Sequence, residues 1–220
     1  TLVTACYDAG FPAVVTAHDT WTSCPRCFRM REESFCEREL SIASCLDCVP
    51  SSPWQGRLEL ANEIELFRDD FRQELALARR VIVPTEAHRE LVARTTGMSA
   101  DRITVVAHGT IGDLTRVERR ADAAGPVRIG HWGHLYPMKG FHLVLEAARS
   151  LPKPVQAKLS IVCWGEATDS DYGRRLQDLA EGLDVTWKGP FEHADLQAAE
   201  LDWAVFPSFA RESYSFVLDE

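Results

Sequence analysis

The 220-residue chain has no long hydrophobic run, since no stretch reaches the roughly eighteen apolar residues that mark a membrane-spanning helix. No signal-peptide pattern begins it, and it contains neither an internal repeat nor a low-complexity segment. Positive charge is scarce: 24 Lys and Arg residues face 33 Asp and Glu residues, which gives a net charge of -9. This balance argues against nucleic acid or an anionic membrane surface as the main partner. The composition, 45% apolar and 26% charged, is that of a globular protein with a core.

Short apolar runs alternate with amphipathic segments, which indicates an α/β fold. Helices are predicted at residues 54–79 and 85–94, the second with Thr85 as N-cap and Gly97 just beyond its end. In the first helix the apolar residues recur near one face: Leu58, Ile64, Phe67, Phe71, Leu75 and Ala78. Strands are predicted at residues 12–17, 80–83, 103–107, 127–132, 157–163, 184–188 and 203–206. This alternation predicts parallel sheets, whose ligands bind beyond the carboxyl ends of the strands.

Five of the seven cysteines crowd into residues 20–53, a segment without apolar periodicity. They include two Cys-x-x-Cys pairs: Cys24, Cys27, Cys36, Cys45 and Cys48. Four thiolates at such spacing can hold a structural zinc, which would fix a loop that has little core of its own. An iron–sulfur cluster is one alternative, and disulfides in an oxidising compartment are another. The two remaining cysteines are expected to be small buried side chains: Cys6 and Cys163.

Four short sequence patterns follow one another along the chain, each just after a predicted strand. They are His18-Asp19, then His108-Gly109, then Gly133 with Lys139-Gly140, and last Glu212 and Glu220 with seven residues between them. The small residues after Glu212 are predicted to open a helix, whose free N–H groups can bind an anion or a hydroxyl. In this order the patterns resemble those of the family-4 (group 1) retaining glycosyltransferases. That family has the GT-B fold, with two Rossmann-like parallel-sheet domains.

The resemblance implies that the chain is the middle of a longer enzyme, truncated at both ends, with both domains incomplete. Residues 1–111 are then the second part of the N-terminal acceptor domain, with the cysteine-rich segment 20–53 as an insert. Residues 112–126 are polar and charged and close with Gly-Pro, so they are expected to form the interdomain linker. Residues 127–220 are expected to be the first part of the C-terminal domain, which binds the nucleotide-sugar donor.

The implied reaction, of the hexosyltransferase type, moves a sugar from a nucleotide-diphosphate-sugar donor to a hydroxyl acceptor with retention of anomeric configuration. It belongs to glycan or polysaccharide biosynthesis, and the acceptor is a glycan, a lipid-linked molecule or a small molecule. No catalytic metal is expected, because side chains and helix N-termini hold the diphosphate, and zinc is expected in a structural role alone. The expected location is the cytoplasm, with peripheral association at the inner face of the membrane left open. The fragment alone is expected to be inactive.

Family roles carry over to the residues of the donor turn one by one. Lys139 resembles the cation at the diphosphate, and Gly133 resembles the glycine of the turn before it. His134 stands where the family usually has arginine. Because histidine lacks the bidentate fork of arginine, His131 or Arg211 would have to compensate at the diphosphate.

The transferred sugar is expected to meet a carboxylate and a histidine. Glu212 resembles the glutamate beside that sugar, and His18 resembles the histidine that reaches it from the acceptor domain. These two residues and Lys139 are the catalytic candidates. Glu220 resembles the carboxylate that takes the ribose hydroxyls. Four residues between the two glutamates complete the expected donor site: Ser213, Tyr214, Ser215 and Phe216. Ser215 stands where the family commonly has glycine.

The resemblance also selects metal ligands from the cysteine cluster. They are Cys24, Cys36, Cys45 and Cys48, with Cys27 as an alternative ligand. Three histidines on helix-like segments are interpreted as surface or packing residues: His88, His142 and His193. Two other functions stay open, namely a GT-B enzyme of another reaction (a sugar-nucleotide epimerase or a phosphorylase) and a non-catalytic, zinc-stabilised binding module.

Overall fold

The computed structural model describes residues 1–26, 28–31, 34–109 and 125–218. The chain divides into two compact units, each with its own sheet and its own core. The first unit comprises Thr1–Gly109 and Ala210–Ser215, and the second comprises Thr110–Phe209 and Phe216–Glu220. The predicted linker at residues 112–126 lies outside the described residues, except for its last two positions.

The first unit is built on a parallel sheet of three strands. Its elements are α1 (Leu2–Asp8), β1 (Val14–Thr16), β2 (Met30–Arg31), β3 (Ser34–Phe35), α2 (Ile42–Cys45), α3 (Arg57–Leu77), β4 (Arg80–Val83), α4 (Glu86–Thr96) and β5 (Ile103–Val105). The sheet order is β1-β4-β5, with Val81 opposite both Val15 and Ile103. The three predicted strands of this half are confirmed, with shorter ends for the first and the third.

Alternate residues of β4 point into the core of the first unit, as its apolar run predicts. Val81 and Val83 are fully buried, and they share that core with Leu75 of α3, Val92 of α4 and Val3 of α1. The central strand is thus covered by helices before and after it in the chain, which is the usual arrangement of a parallel sheet.

The long helix α3 buries a different face from the predicted one at its start. Ile64 and Leu75 are buried as predicted, but Leu58 is 86% exposed, so the prediction is wrong there. Since each residue turns a helix by about 100°, Leu58 lies on the side opposite to Leu60, which is buried. Within the part of the chain that the structure describes, no helix combines the length and the apolar character needed to cross a membrane.

Both predicted caps of α4 are confirmed. Thr85 Oγ1 accepts a hydrogen bond from the main-chain N of His88 at 3.2 Å, and Gly97 has a left-handed φ of 73° at the C-cap. Because nothing stops the helix before that glycine, it continues past residue 94 to Thr96.

The cysteine-rich segment forms short elements in the residues described there. The strands β2 and β3 pair antiparallel, and α2 is a single turn. Leu40 packs with Leu60 and Ile64 of α3 in a small second core. The segment is therefore held against α3 by few apolar side chains, which agrees with its lack of apolar periodicity.

The second unit is a parallel sheet of four strands with helical connections. Its elements are β6 (Val127–His131), α5 (Phe141–Ser150), α6 (Lys153–Gln156), β7 (Leu159–Trp164), α7 (Ser170–Ala180), β8 (Val185–Gly189), α8 (His193–Gln197) and β9 (Trp203–Ala204). The sheet order is β8-β7-β6-β9, and each of these pairings is parallel. The predicted α/β class is confirmed.

The larger core of the second unit contains one of the two cysteines that were expected to be buried. Cys163 packs with Phe141, Leu145 and Leu176, and burial raises the pKa of its thiol to about 12. Cys6, by contrast, is half-buried. The expectation is wrong for Cys6, because α1 is a short helix in which Val3 is the buried residue.

Candidate functional site

The loop after β9 packs against the short 3₁₀ turn Pro137–Lys139, which holds the predicted diphosphate cation. Phe209 N donates a hydrogen bond to Met138 O at 3.1 Å. Gly140, directly after the turn, has a φ of 76°, and a β-carbon there would collide with the main-chain carbonyl of Pro207. Glycine is therefore required at position 140 both by its conformation and by this close approach of two backbones.

Lys139 is half-buried at the end of this turn, close enough to His131 for its charge to affect the imidazole. His131 Nδ1 lies 2.8 Å from Val205 O, and its ring stacks on Phe141 with 4.7 Å between centroids. Burial is the main cause that lowers the pKa of His131, and the charge of Lys139 lowers it further. His131 is thus neutral at pH 7 and brings no positive charge to the predicted diphosphate site.

Gly133 and His134 follow β6 after one intervening residue, Trp132. Gly133 has a φ of 115°, and a β-carbon there would lie 3.4 Å from Val217 Cγ1. Two donor-binding candidates, Gly133 and Phe216, therefore lie in neighbouring segments of the second unit. His134 is exposed, with its ring centroid 5.7 Å from that of Tyr136.

In the first unit, His18 is brought next to residues from the end of the chain. Ser213 Oγ donates to His18 O at 2.6 Å, and Thr85 Oγ1 donates to Ser213 O at 3.1 Å. The His108 ring contacts the rings of His18 and Tyr214, at centroid distances of 4.8 and 4.9 Å. These contacts join predicted site residues that are far apart in the sequence.

The predicted helix after Glu212 is wrong in its start. Residues 211–215 are not helical, and a 3₁₀ turn begins only at Phe216–Leu218. The hydroxyl and the carbonyl of Ser213 are bonded to the first unit, and these tertiary bonds replace the first helical turn. Ser215 is half-buried. Glu220 lies outside the described residues.

Arg211 is engaged within the first unit. Its Nη1 lies 2.8 Å from Glu37 Oε1, and its guanidinium lies 4.7 Å from the centroid of the Phe35 ring. The ion pair is largely exposed, so its contribution to stability is small.

Four of the clustered cysteines lie close to one another. Burial is the main cause that raises the thiol pKa values of Cys24 and Cys45; the neighbouring Cys36 raises both further, and Cys48 raises that of Cys45. Cys27 lies outside the described residues. Among the described residues, no three His, Cys, Asp or Glu side chains stand in a ready metal-binding arrangement. Soft thiol donors suit zinc chemically, and the zinc site stays a prediction.

A buried arginine in the cysteine-rich segment was not predicted. Arg29 is 2% exposed, and it donates to Ser23 O at 2.7 Å and to Cys36 O at 2.9 Å. Its charge lowers the pKa of the Cys24 and Cys45 thiols, against the larger effect of burial. In a polar segment without periodicity, nothing in the sequence distinguishes such an arginine from an exposed one.

The three helix histidines are confirmed as packing or surface residues. His88 and His142 are buried, and His193 is exposed. His142 Nδ1 lies 3.0 Å from the hydroxyl of Tyr172. Burial lowers the pKa of His88, while the charge of Asp19 and a hydrogen bond with its main chain raise it.

No model of a protein family matches the chain, and no curated protein matches it. Solved structures do match. HepE of Anabaena, in complex with UDP and glucose, gives a TM-score of 0.57 at 18% identity, over 98% of this chain and 51% of HepE. Trehalose-6-phosphate synthase, a glycosyltransferase acting with retention, gives a TM-score of 0.55 at 15% identity, over 72% of this chain and 46% of the synthase chain. The pneumococcal O-GlcNAc transferase GtfA, in complex with UDP and GlcNAc, gives a TM-score of 0.51 at 17% identity, over 70% of this chain and 30% of GtfA.

The chain has the GT-B fold. This confirms the predicted architecture. The chain spans about half of the length of HepE, 51%, so it represents only part of a GT-B protein of that size.

Proposed function

We propose that the protein transfers a sugar from a nucleotide-diphosphate-sugar donor to a hydroxyl acceptor, with retention at the anomeric carbon. The observation that carries the proposal is the likeness to HepE, which was solved with UDP and glucose, over 98% of this chain. The four ordered sequence patterns support it independently, because each follows a strand at the edge where α/β sheets bind ligands.

In this proposal the turn after β6 holds the donor diphosphate. Negative charge builds on the diphosphate as the glycosidic bond breaks, and a fixed cation there stabilises the transition state. Lys139 fits this role because it ends a turn that is locked by the close backbone contact at Gly140. A cation that is already held in place needs no reorganisation during the reaction.

Glu212 and His18 are proposed to contact the transferred sugar. We propose departure and attack on the same face of the sugar, without a covalent intermediate on the protein. The acceptor oxygen bonds to the anomeric carbon as the bond to the phosphate oxygen breaks, and the proton of the acceptor hydroxyl moves to the leaving phosphate. This step keeps the anomeric configuration and balances in atoms and charge.

The wider setting follows from the donor. We propose glycan or polysaccharide biosynthesis in the cytoplasm, with a glycan, lipid-linked or small-molecule acceptor and with peripheral membrane association left open. We also propose that the cysteine cluster holds a structural zinc that orders the segment 20–53, while the diphosphate is held without a metal.

Calorimetry tests the donor assignment. The full-length protein is titrated with UDP, ADP and GDP, and each nucleotide is compared with its monophosphate. We expect one diphosphate to bind at least tenfold more tightly than its monophosphate in the wild type, and the difference to shrink in Lys139→Ala. Failure of all three diphosphates to bind would contradict the proposal and favour a non-catalytic module.

A further inference from the structure

A buried positive charge lies within the cysteine-rich segment. Arg29 is 2% exposed, and a guanidinium keeps its proton throughout the pH range in which proteins are folded. Among the residues that the structure describes, no carboxylate forms an ion pair with it. Because burying a charge without an opposite one is costly, Arg29 requires a negative partner of another kind.

The hydrogen bonds of Arg29 hold this charge beside the cysteines. Its Nε donates to Cys36 O at 2.9 Å, and Cys36 N donates back to Arg29 O at 2.6 Å. Its Nη1 donates at 2.7 Å to the carbonyl of Ser23, the residue before Cys24, and its Nη2 donates to Arg38 O. Carbonyl oxygens satisfy the N–H groups but carry no net charge, so the charge of the arginine stays uncompensated by them.

The backbone at position 29 does not favour arginine. Its φ of 53° is in the left-handed region, where glycine fits without strain and asparagine fits better than most residues. The arginine is therefore explained by what its side chain does and not by the conformation of the chain.

A second arginine contacts one of the sulfurs. Arg26 Nη1 lies 3.3 Å from Cys48 Sγ and donates to Cys48 O at 3.3 Å. Arg26 is exposed, so salt screens its charge, whereas the charge of the buried Arg29 is screened much less. Two guanidinium groups thus stand beside the clustered cysteines.

The sulfurs are the negative groups that this arrangement can supply. The charge of Arg29 acts on the thiols of Cys24 and Cys45. Cys36 and Cys48 lie near Cys45 in turn. Neutral thiols and disulfides carry no charge and would leave Arg29 uncompensated. Four thiolates around one divalent metal ion exceed its charge by two, and two guanidinium groups balance that excess.

We propose that Arg29, assisted by Arg26, supplies the counter-charge of an anionic metal–thiolate site. The inference rests on the proposed structural zinc and deepens it in two respects. It assigns all four ligands as thiolates, namely Cys24, Cys36, Cys45 and Cys48. It also assigns to the two arginines a share of the metal affinity, as residues that position charge beside the ligands without binding the metal.

Competition for zinc tests the inference without relying on turnover. The full-length protein, reduced and stripped of metal, is titrated with Zn²⁺ against a chromophoric chelator at neutral pH. Co²⁺, whose absorption spectrum reports the number of thiolate ligands, is bound in parallel. Arg29→Gln, which keeps N–H donors but loses the charge, should weaken Zn²⁺ binding by about tenfold or more. Arg29→Lys, which keeps the charge but loses the fork, should stay within about threefold of the wild type.

Two further variants separate charge from folding. Arg26→Ala alters an exposed side chain and should weaken Zn²⁺ binding about threefold at low ionic strength and less at high ionic strength. Arg31→Gln is the matched control, because Arg31 is the next arginine along the chain, in β2, and bonds to no cysteine within the described residues. It should bind Zn²⁺ as the wild type does.

The outcomes distinguish this inference from the proposals beneath it. If the wild type binds Zn²⁺ and Arg29→Gln binds it equally well, the inference is wrong while the structural zinc stands. If Arg29→Lys loses as much affinity as Arg29→Gln, the arginine acts through its fork on the loop carbonyls, and the inference is overturned.

Two results remain to be interpreted. If Arg29→Gln does not fold, Arg26→Ala decides, since wild-type Zn²⁺ affinity in that variant at low ionic strength overturns the inference. If the wild type binds neither Zn²⁺ nor Co²⁺, the structural zinc fails and the inference fails with it. Binding of nucleoside diphosphates to the same protein reports separately on the proposed glycosyl transfer.

Discussion

At the scale of single residues, the proposed donor site depends on positive charge that is present at neutral pH. His131 is buried and neutral, and Arg211 is paired with Glu37 in the first unit. Lys139 is left as the charged side chain of the turn after β6. In the proposed mechanism, the electrostatic stabilisation of the leaving diphosphate therefore depends mainly on Lys139.

Replacing Lys139 by alanine should slow transfer much more than it alters folding. The lost charge at the diphosphate should cost about 2–4 kcal/mol in the barrier, which lowers kcat/KM for the donor by about 30- to 1,000-fold. Initial rates over a range of donor concentrations measure it. Lys158→Ala is the control, because Lys158 is exposed and precedes β7, at the opposite end of the sheet. Wild-type rates in Lys139→Ala would remove the lysine from the site.

The buried histidines should make the protein less stable in acid. Burial lowers the pKa of His88 and of His131 in the folded state, while the unfolded value is about 6.5. Below pH 6.5 the unfolded chain binds more protons than the folded one, so the free energy of unfolding falls as pH falls. Above pH 6.5 both groups are neutral in either state, and their contribution is constant.

Urea unfolding between pH 5 and 8 measures this dependence. The variant His131→Phe should have a shallower decline between pH 6.5 and 5 than the wild type, whatever its absolute stability. His193→Gln, at an exposed helix position, is the control and should keep the wild-type slope. Identical slopes in the wild type and His131→Phe would show that His131 is not held neutral by the fold.

The residue predictions succeeded where the chemistry is local. The N-cap at Thr85 and the left-handed glycine at Gly97 depend only on neighbours along the helix, and both are confirmed. The contacts of His18 with Ser213 and His108 join residues distant in sequence, so no local pattern could indicate them.

At the scale of elements, strands were predictable because buried parallel strands read as short apolar runs. β4 has the predicted bounds, and β6 and β7 differ from theirs by at most two residues. The buried face at the start of α3 was not predictable, because Leu58 and Leu60 are both apolar and only packing with Leu40 decides which is buried. The helix expected after Glu212 failed because the bonds of Ser213 override a local preference.

The cysteine-rich segment should bind about one zinc per chain. It shares only a small core with α3, and the thiols of Cys24, Cys36 and Cys48 each interact with that of Cys45, so a metal would supply the missing cross-link. Elemental analysis of protein purified under reducing conditions measures the metal. The double variant Cys45→Ser with Cys48→Ser should lose it, whereas Cys163→Ala, a change in the other unit, should retain it.

Absence of both zinc and iron, with all seven thiols free to react, would contradict the metal assignment. Detection of iron together with inorganic sulfide would identify an iron–sulfur cluster in place of the zinc. Fewer than seven reactive thiols without metal would point to disulfides, which need an oxidising compartment.

At the scale of the whole molecule, the order of the four patterns along the chain predicted the fold better than any one of them. Each unit has its own parallel sheet, and the chain matches HepE over 98% of its length. The GT-B fold was therefore readable from sequence. The acceptor was not readable from it.

The central claim is that the protein transfers a sugar with retention, and the anomeric configuration of the product tests it most directly. The full-length protein is incubated with a panel of nucleotide sugars and hydroxyl acceptors, and the product is followed by proton magnetic resonance from the first turnovers. From an α-linked donor we predict an α-linked glycoside and one nucleoside diphosphate released per sugar transferred. A β-linked product, an epimerised donor, or a product that forms only when inorganic phosphate is supplied would contradict the account.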